Sequence, residues 1–287
     1  MKKRLLRLGC VCLILMMTIT SAYATNSDII VLNPEIDKVN EEVLQDILTD
    51  LSVTQPNNME SNISPMWASG SKDEINQGTH GFIAKQGVTL AASSYSSINS
   101  FFTSTRVKTL MLASIQPDID GTTTLFKDHF YLPNGNGLAG YPLSAYDNFR
   151  NHYNGAIANY NAGNYTEAIK RLGKAIHFIS DINQPHHASG AAAVVTNHTQ
   201  YEAWVETNEN YKNYKVTSIS LSAISAYNGK TLLTIADDSA SVARNNYSNA
   251  NSLDENKMHN ATNVTLKRAH RDAAGIIFKF CKDTGIV

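Results

Sequence analysis

The run YTEAIKRLGKAIHFISDINQPHH, from Tyr165 to His187, decides how the rest of the chain is read. Ile169, Leu172, Ile176 and Ile179 recur at three- and four-residue steps, the period of an apolar stripe on an α-helix. Ala162-Gly163-Asn164 just before it is a signal that ends one helix and restarts another. Asn183-Gln184-Pro185 stops the second helix, because proline donates no amide and restricts its predecessor. On that helix His177 and Asp181 stand four apart, a spacing that stacks two side chains on one face.

Helical spacing continues on both sides. Ile83, Gly87, Leu90 and Ala91 carry it upstream, as do Val107, Leu110, Met111 and Ser114. Further helices fit Tyr146 to Asn161, His198 to Tyr211, Thr231 to Tyr247 and Asn260 to Asp283. Val216 to Ala226 alternates Ser with Val, Ile and Leu, which suits a short strand or a loop. Internal repeats and low-complexity tracts are absent from the sequence. The expectation is an all-α single-domain helical bundle.

The beginning of the chain reads differently. Lys2, Lys3, Arg4 and Arg7 precede an apolar run from Leu8 to Ile19 and the tripeptide Ala22-Tyr23-Ala24. That is the pattern of a secretory signal peptide over 1–24, and the run falls short of the roughly 20 apolar residues of a membrane span. Residues 25–66 hold one acidic amphipathic stretch through Val43, Ile47 and Leu51, then a polar tract bearing Pro56 and Pro65. Composition suits either a propeptide with a flexible joint or an extension that stays attached. Cys10 and Cys12 leave with the signal, so the lone Cys281 forms no disulfide within the mature protein. A packed core, metals, or both must hold the fold. Lys plus Arg total 24 against 25 Asp plus Glu, so no basic surplus advertises nucleic acid or an anionic membrane.

His80, His129, His177, His186, His187 and His198 stand near carboxylates. His198 and Glu202 repeat the four-residue spacing of His177 and Asp181. Taken singly, such a pair is commonly a surface contact worth a few tenths of a kcal/mol. Their concentration, with His187 between, on two helices and the connecting loop points instead to zinc, which accepts imidazole and carboxylate together.

These residues resemble the zinc-dependent phospholipase C family of bacteria, which includes secreted phosphatidylcholine-hydrolysing enzymes of bacilli and the catalytic domain of clostridial alpha-toxin. The resemblance rests on His177 to His187 and on His198 with Glu202. It extends to Pro117-Asp118-Ile119-Asp120 with Asp128-His129-Phe130, and to Trp67 with His80. It covers 67–287 and implies three zinc ions within the helical bundle. One would be held by Asp118, His129, His177 and Asp181, and a second by His187, His198 and Glu202. The third would take His80, a bridging Asp181, and the α-amine and carbonyl of Trp67. Asp118 is preferred to Asp120 because the family's aspartate follows proline, and His187 to His186 by its distance from Asp181.

A free amine at Trp67 implies that 25–66 is a propeptide removed by a processing protease. The precursor would then lack one metal site. The implied activity is hydrolysis of the glycerol-side phosphodiester of phospholipids at a membrane surface by zinc-activated water, giving diacylglycerol and a phosphorylated headgroup. Asp118 would be the general base and Phe126 a substrate contact. The protein would be secreted and monomeric, with no nucleic-acid partner. Gly70 and Ile119 stand where the bacillus enzymes carry a glutamate and an aromatic residue, which argues against their choline preference. The sequence stops at Val287 with no counterpart of the lipid-binding β-sandwich of alpha-toxin, so weaker membrane engagement is expected. The alternatives are a zinc-dependent single-strand nuclease on the same scaffold and a non-catalytic, zinc-stabilised helical binding protein. Glu202 and the step from Trp67 to His80 favour the phospholipase. His152, His259 and His270 match no ligand motif, and Lys267, Arg268 and Arg271 read as a solvated helix face.

Overall fold

A computed structural model describes residues 78–120, 126–192 and 196–287, which all fall within one compact unit. Trp67, the signal-peptide reading and the propeptide reading lie outside the described residues. The helices, in chain order, are α1 (Thr79–Ser94), α2 (Ser96–Phe101), α3 (Ser104–Asp120), α4 (Ala145–Asn161), α5 (Tyr165–Ile182) and α6 (Pro185–Ser189). They continue as α7 (His198–Glu206), α8 (Leu221–Ser225), α9 (Leu232–Asn245), α10 (Tyr247–Ala250) and α11 (Glu255–Asp283). Short 3-10 turns fill parts of the connections, and among the described residues there is no strand. The all-α reading holds. The segment after Val216 runs as loop into α8, whose first turn is capped by the Ser220 hydroxyl.

The opening stretch becomes α5, the axis of the fold. Ile169, Leu172, Ile176 and Ile179 are fully buried, each contributing on the order of 1.5–3 kcal/mol of apolar burial. α5 packs on α4 along one side, α3 along another, and α1 and α11 beyond. The turn between α4 and α5 is as the sequence suggests. Gly163 takes φ of +79°, and its amide donates to Tyr160 O at 2.9 Å, tying off the end of α4. α4 itself opens with a capping box, Ser144 and Asp147 exchanging hydrogen bonds.

Against α3, α5 comes unusually close. A Cβ on Gly173 would lie 2.5 Å from Leu110 O and 2.7 Å from Ala113 Cβ, so only glycine fits. Pro185 ends α5 as expected, but it also starts α6, since proline suits the first helical position. His186 and His187 therefore sit on a short helix and not in a loop. The helix expected from His198 to Tyr211 divides into α7 and a 3-10 stretch, Thr207–Tyr214. α11 starts earlier than its periodicity suggests, because Asp254 caps the amides of Asn256 and Lys257.

Candidate metal centre

His177 and Asp181 occupy the last two turns of α5, fully shielded from solvent, with His177 Nε2 3.0 Å from Asp181 Oδ2. The imidazole is aimed by α3: its Nδ1–H donates to the Ser114 carbonyl at 2.8 Å. Asp118, in the last turn of α3 just after Pro117, brings Oδ1 to 3.5 Å from His177 Nε2 and 3.7 Å from His129 Nδ1. His129 arrives from a 3-10 turn, Lys127–His129, and places Nδ1 3.0 Å from Asp181 Oδ2. His80, in the first turn of α1, sets Nε2 3.5 Å from Asp181 Oδ1 and 3.7 Å from Asp118 Oδ2. The start of α1 is pinned there by the Gly78 amide on Tyr211 OH and the Thr79 amide and hydroxyl on Glu206.

The second group lies on α6 and α7. His198 Nε2 is 2.9 Å from Glu202 Oε1, and His187 Nε2 is 3.5 Å from the same oxygen. Gln184 organises this corner. Its amide oxygen accepts from the His186 and His187 backbone amides, and its Nε2 donates to Glu202 Oε1 at 2.9 Å. Asn251 fixes the start of α7: its side-chain oxygen accepts from Asn197 N at 2.8 Å, and its carbonyl from Asn197 Nδ2 at 2.7 Å. Asp181 joins the two groups, because Oδ1 faces His187 Nδ1 at 3.3 Å while Oδ2 faces His129 and His177.

His80, His129, His177, His187 and His198 thus share one buried volume with Asp118, Asp181 and Glu202. Neutral imidazoles would leave three carboxylates there without water, which is costly unless cations compensate. The ionisation equilibria register that field. Burial opposes charge on His177 and His187, yet Asp181 above all pushes them up to about 9 and about 10. Burial alone would raise Asp181 and Glu202, but His177 and His198 respectively lead the groups that hold them well below the usual carboxylate range. Asp118 goes the other way, raised by burial to about 6. His80 is lowered by burial and by His177.

Donor chemistry and geometry both fit zinc. Three clusters have ligand atoms mutually within 4.8 Å: His80, Asp118 and His177; His129, His177 and Asp181; and His187, His198 and Glu202. Ligands of a tetrahedral zinc ion at about 2.0–2.1 Å stand roughly 3.3 Å apart, close to the separations above. Neither oxygen of Asp181 nor either ring nitrogen of His198 has an aligned hydrogen-bond partner, although all are buried. Such polar atoms are costly to bury unless something else satisfies them.

All eight described side chains expected to ligate meet here. His186 does not. It stacks flat on His198 at 4.9 Å between centroids and turns Nε2 toward Asn251, while burial first and His198 next lower it to about 3. Phe126 meets His129 edge-on at 5.5 Å and takes the left-handed φ of +57°, a conformation strained for a large side chain. Ile119 is exposed beside Asp118. His152 is half-buried, stacked on Phe178, His259 is exposed, and His270 is buried away from the cluster.

One expectation needs correcting. Arg268 is not on a solvated face: its Nε meets both oxygens of buried Asp272, at 2.9 and 3.0 Å. Asp272 also accepts from Asn183, Tyr227 and Ser239, so it ties the end of α5 to α9 and α11. Ser114, Gln184, Asn251 and Asp272 were not singled out as site residues from sequence. Gln184 and Ser114 leave a trace in the sequence, but one as part of a helix stop and the other as part of a helical repeat.

The profile of a family described as zinc dependent phospholipase C matches residues 79–268. A phospholipase C of Paraclostridium bifermentans is 34% identical over 170 residues, covering 52% of this chain and 41% of that protein. One from Clostridium perfringens is 27% identical over 236 residues, covering 72% of this chain and 59% of that protein. The chain therefore spans about half the length of these curated relatives. The alpha toxin of Clostridium absonum shares the fold, with a TM-score of 0.68 at 20% identity over 75% of this chain and 65% of that one. With the buried imidazole–carboxylate cluster in place, the match over 79–268 settles the assignment: the chain belongs to the zinc dependent phospholipase C family.

Proposed function

We propose that this protein is a secreted phospholipase C that cleaves the glycerol-side phosphodiester of phospholipids, releasing diacylglycerol and a phosphorylated headgroup. The observation that carries the reading is the two-sided use of Asp181, one oxygen toward His80 and His187 and the other toward His129 and His177. A carboxylate so placed suits more than one metal ion, and three are proposed. Zinc held by these residues would supply a nucleophile at neutral pH and would offset the negative charge of the phosphoryl group.

The chain's own groups do the rest. Asp118, set 3.5 Å from His177 and 3.7 Å from His129, takes the proton of the attacking water. Water adds to phosphorus, the bond to the glycerol oxygen breaks, and that oxygen leaves protonated as diacylglycerol. Phe126 offers an aromatic face next to His129 for the headgroup side. Trp67 completes the His80 site through its α-amine once a processing protease has removed 25–66, so the full-length chain is latent. The mature enzyme works as a monomer outside the cell.

The test compares the full-length chain with protein beginning at Trp67. Zinc per chain, release of phosphorylated headgroup from phosphatidylcholine, phosphatidylethanolamine and sphingomyelin, and cleavage of single-stranded DNA are measured together. The expected result is three zinc ions and lipid hydrolysis from the mature form, with fewer ions and weaker hydrolysis before processing. DNA cleavage without lipid hydrolysis, or tight zinc without either activity, overturns the reading.

A further inference from the structure

The two ligand groups are connected by more than Asp181. The His187 Nδ1–H, which lies 3.3 Å from Asp181 Oδ1, is also 3.1 Å from the His129 carbonyl oxygen. In return, the Tyr131 amide donates to the His187 carbonyl at 3.2 Å. Segments 129–131 and 187–188 therefore run side by side, each holding the other. A shift in one backbone tilts the imidazole carried by the other.

One side chain from α9 spans both segments. Arg244 donates Nε–H to the Ala188 carbonyl at 2.8 Å and Nη2–H to the Tyr131 carbonyl at 3.1 Å. The rigid fork of a guanidinium reaches two acceptors at a fixed separation, which an ammonium does not reproduce. Ala188 O belongs to the last turn of a five-residue helix, where carbonyls lack helical partners. α9 also grips Tyr131 at its other end, where the Tyr131 hydroxyl donates to Asp237 Oδ1 at 2.6 Å. Asp237 and Arg244 are two turns apart on the same helix face.

We propose that Arg244 is a positioning residue that clamps 129–131 to 187–188 and so makes the His129 group and the His187 group gain and lose zinc as one unit. The proposal rests on the reading of these groups as zinc sites. Arg244 acts through the two backbones that carry His129 and His187. Groups behind metal ligands typically change metal affinity ten- to a hundredfold when removed.

The experiment uses the mature protein loaded with zinc and measures zinc release into excess chelator with a colorimetric indicator. Wild type is compared with Arg244→Met, Arg244→Lys and the surface control Arg150→Met, and helical circular dichroism and melting at saturating zinc are recorded for each. Wild type and Arg150→Met are expected to release zinc from the two groups in a common phase. Arg244→Met is expected to split that phase, with the faster part at least tenfold quicker, while helicity at saturating zinc stays intact. Arg244→Lys, keeping one of two contacts, should fall between. Release in one unchanged phase from both variants overturns the clamp. So does a loss of zinc that follows a loss of helicity in both variants, for then Arg244 serves only the fold. A wild-type protein that holds no zinc overturns the metal reading itself and the clamp with it.

Discussion

His177 gives its Nδ1 proton to the carbonyl oxygen of Ser114, 2.8 Å away on a neighbouring helix, and this leaves Nε2 facing His129, Asp118 and Asp181. The tautomer and the direction of the ring are thus set by backbone and not by a second side chain. His177→Ala removes a ligand that two of the clusters share. The expected outcome is loss of at least one zinc per chain and a fall in lipid hydrolysis of more than about 100-fold, beyond the range of changes behind the ligands. Elemental analysis after gel filtration and a headgroup-release assay check both.

Gln184→Met keeps size but deletes the amide that serves His186 N, His187 N and Glu202 Oε1. Two buried amides lose their acceptor and Glu202 loses a donor. Zinc affinity of the His187–His198–Glu202 group should drop about ten- to a hundredfold. Stability of the chelated protein should fall by about 1–3 kcal/mol. Competition with a chromophoric chelator reads the first and urea unfolding the second.

Asp272→Asn strikes a different kind of target. The buried carboxylate balances Arg268 while accepting from Asn183, Tyr227 and Ser239 at 2.6–2.9 Å. The neutral amide leaves the guanidinium without its counter-charge in a partly buried place. Breaking such a pair costs about 3–5 kcal/mol. Urea unfolding at saturating zinc should show that loss, with zinc per chain unchanged in the protein that remains folded.

His270 provides an acid-sensitivity test outside the metal cluster. It is fully buried against Phe82, and burial, with Arg271 and Lys215 adding to it, lowers it to about 3. The unfolded chain binds this proton near pH 6.5, whereas the folded chain binds it only near 3. Its contribution is therefore fully present above about pH 6.5 and is lost progressively as pH falls toward the folded value. From pH 6.5 to 5 the loss is about 1.6 kcal/mol. His270→Phe should flatten the stability profile by that amount relative to wild type, both measured by denaturant unfolding with zinc saturated. An identical pH slope in the two proteins would contradict the assignment.

Helices were legible in the sequence where an apolar stripe was long, as from Ile169 to Ile179, and where Gly163 and Pro185 punctuated it. His177, Asp181, His198 and Glu202 were legible because His and carboxylate at four-residue spacing is a residue-type signal, whereas His80, Asp118 and His129 came only with the family resemblance. What supports them was not. Ser114 and Ala188 act through carbonyl oxygens, which every residue has, so no residue type marks them. Arg244 and Asp272 lie far along the chain from the groups they serve, and only folding shows which helix faces meet. Arg268 read as solvated because its partner sits one turn later on a helix whose other faces are covered by neighbours.

The absent side chain at Gly173 bears on all of this. With Leu110 O 2.5 Å from where a Cβ would sit, α5 and α3 approach at backbone contact near the turn that carries Ser114. That separation is what brings the Ser114 carbonyl within reach of His177. The tightness of the metal centre is therefore under the control of an axis-to-axis spacing more than a helical turn from the first ligand on α5. A single methyl group there would act as a shim, detuning the imidazole's aim while leaving every ligand in the sequence.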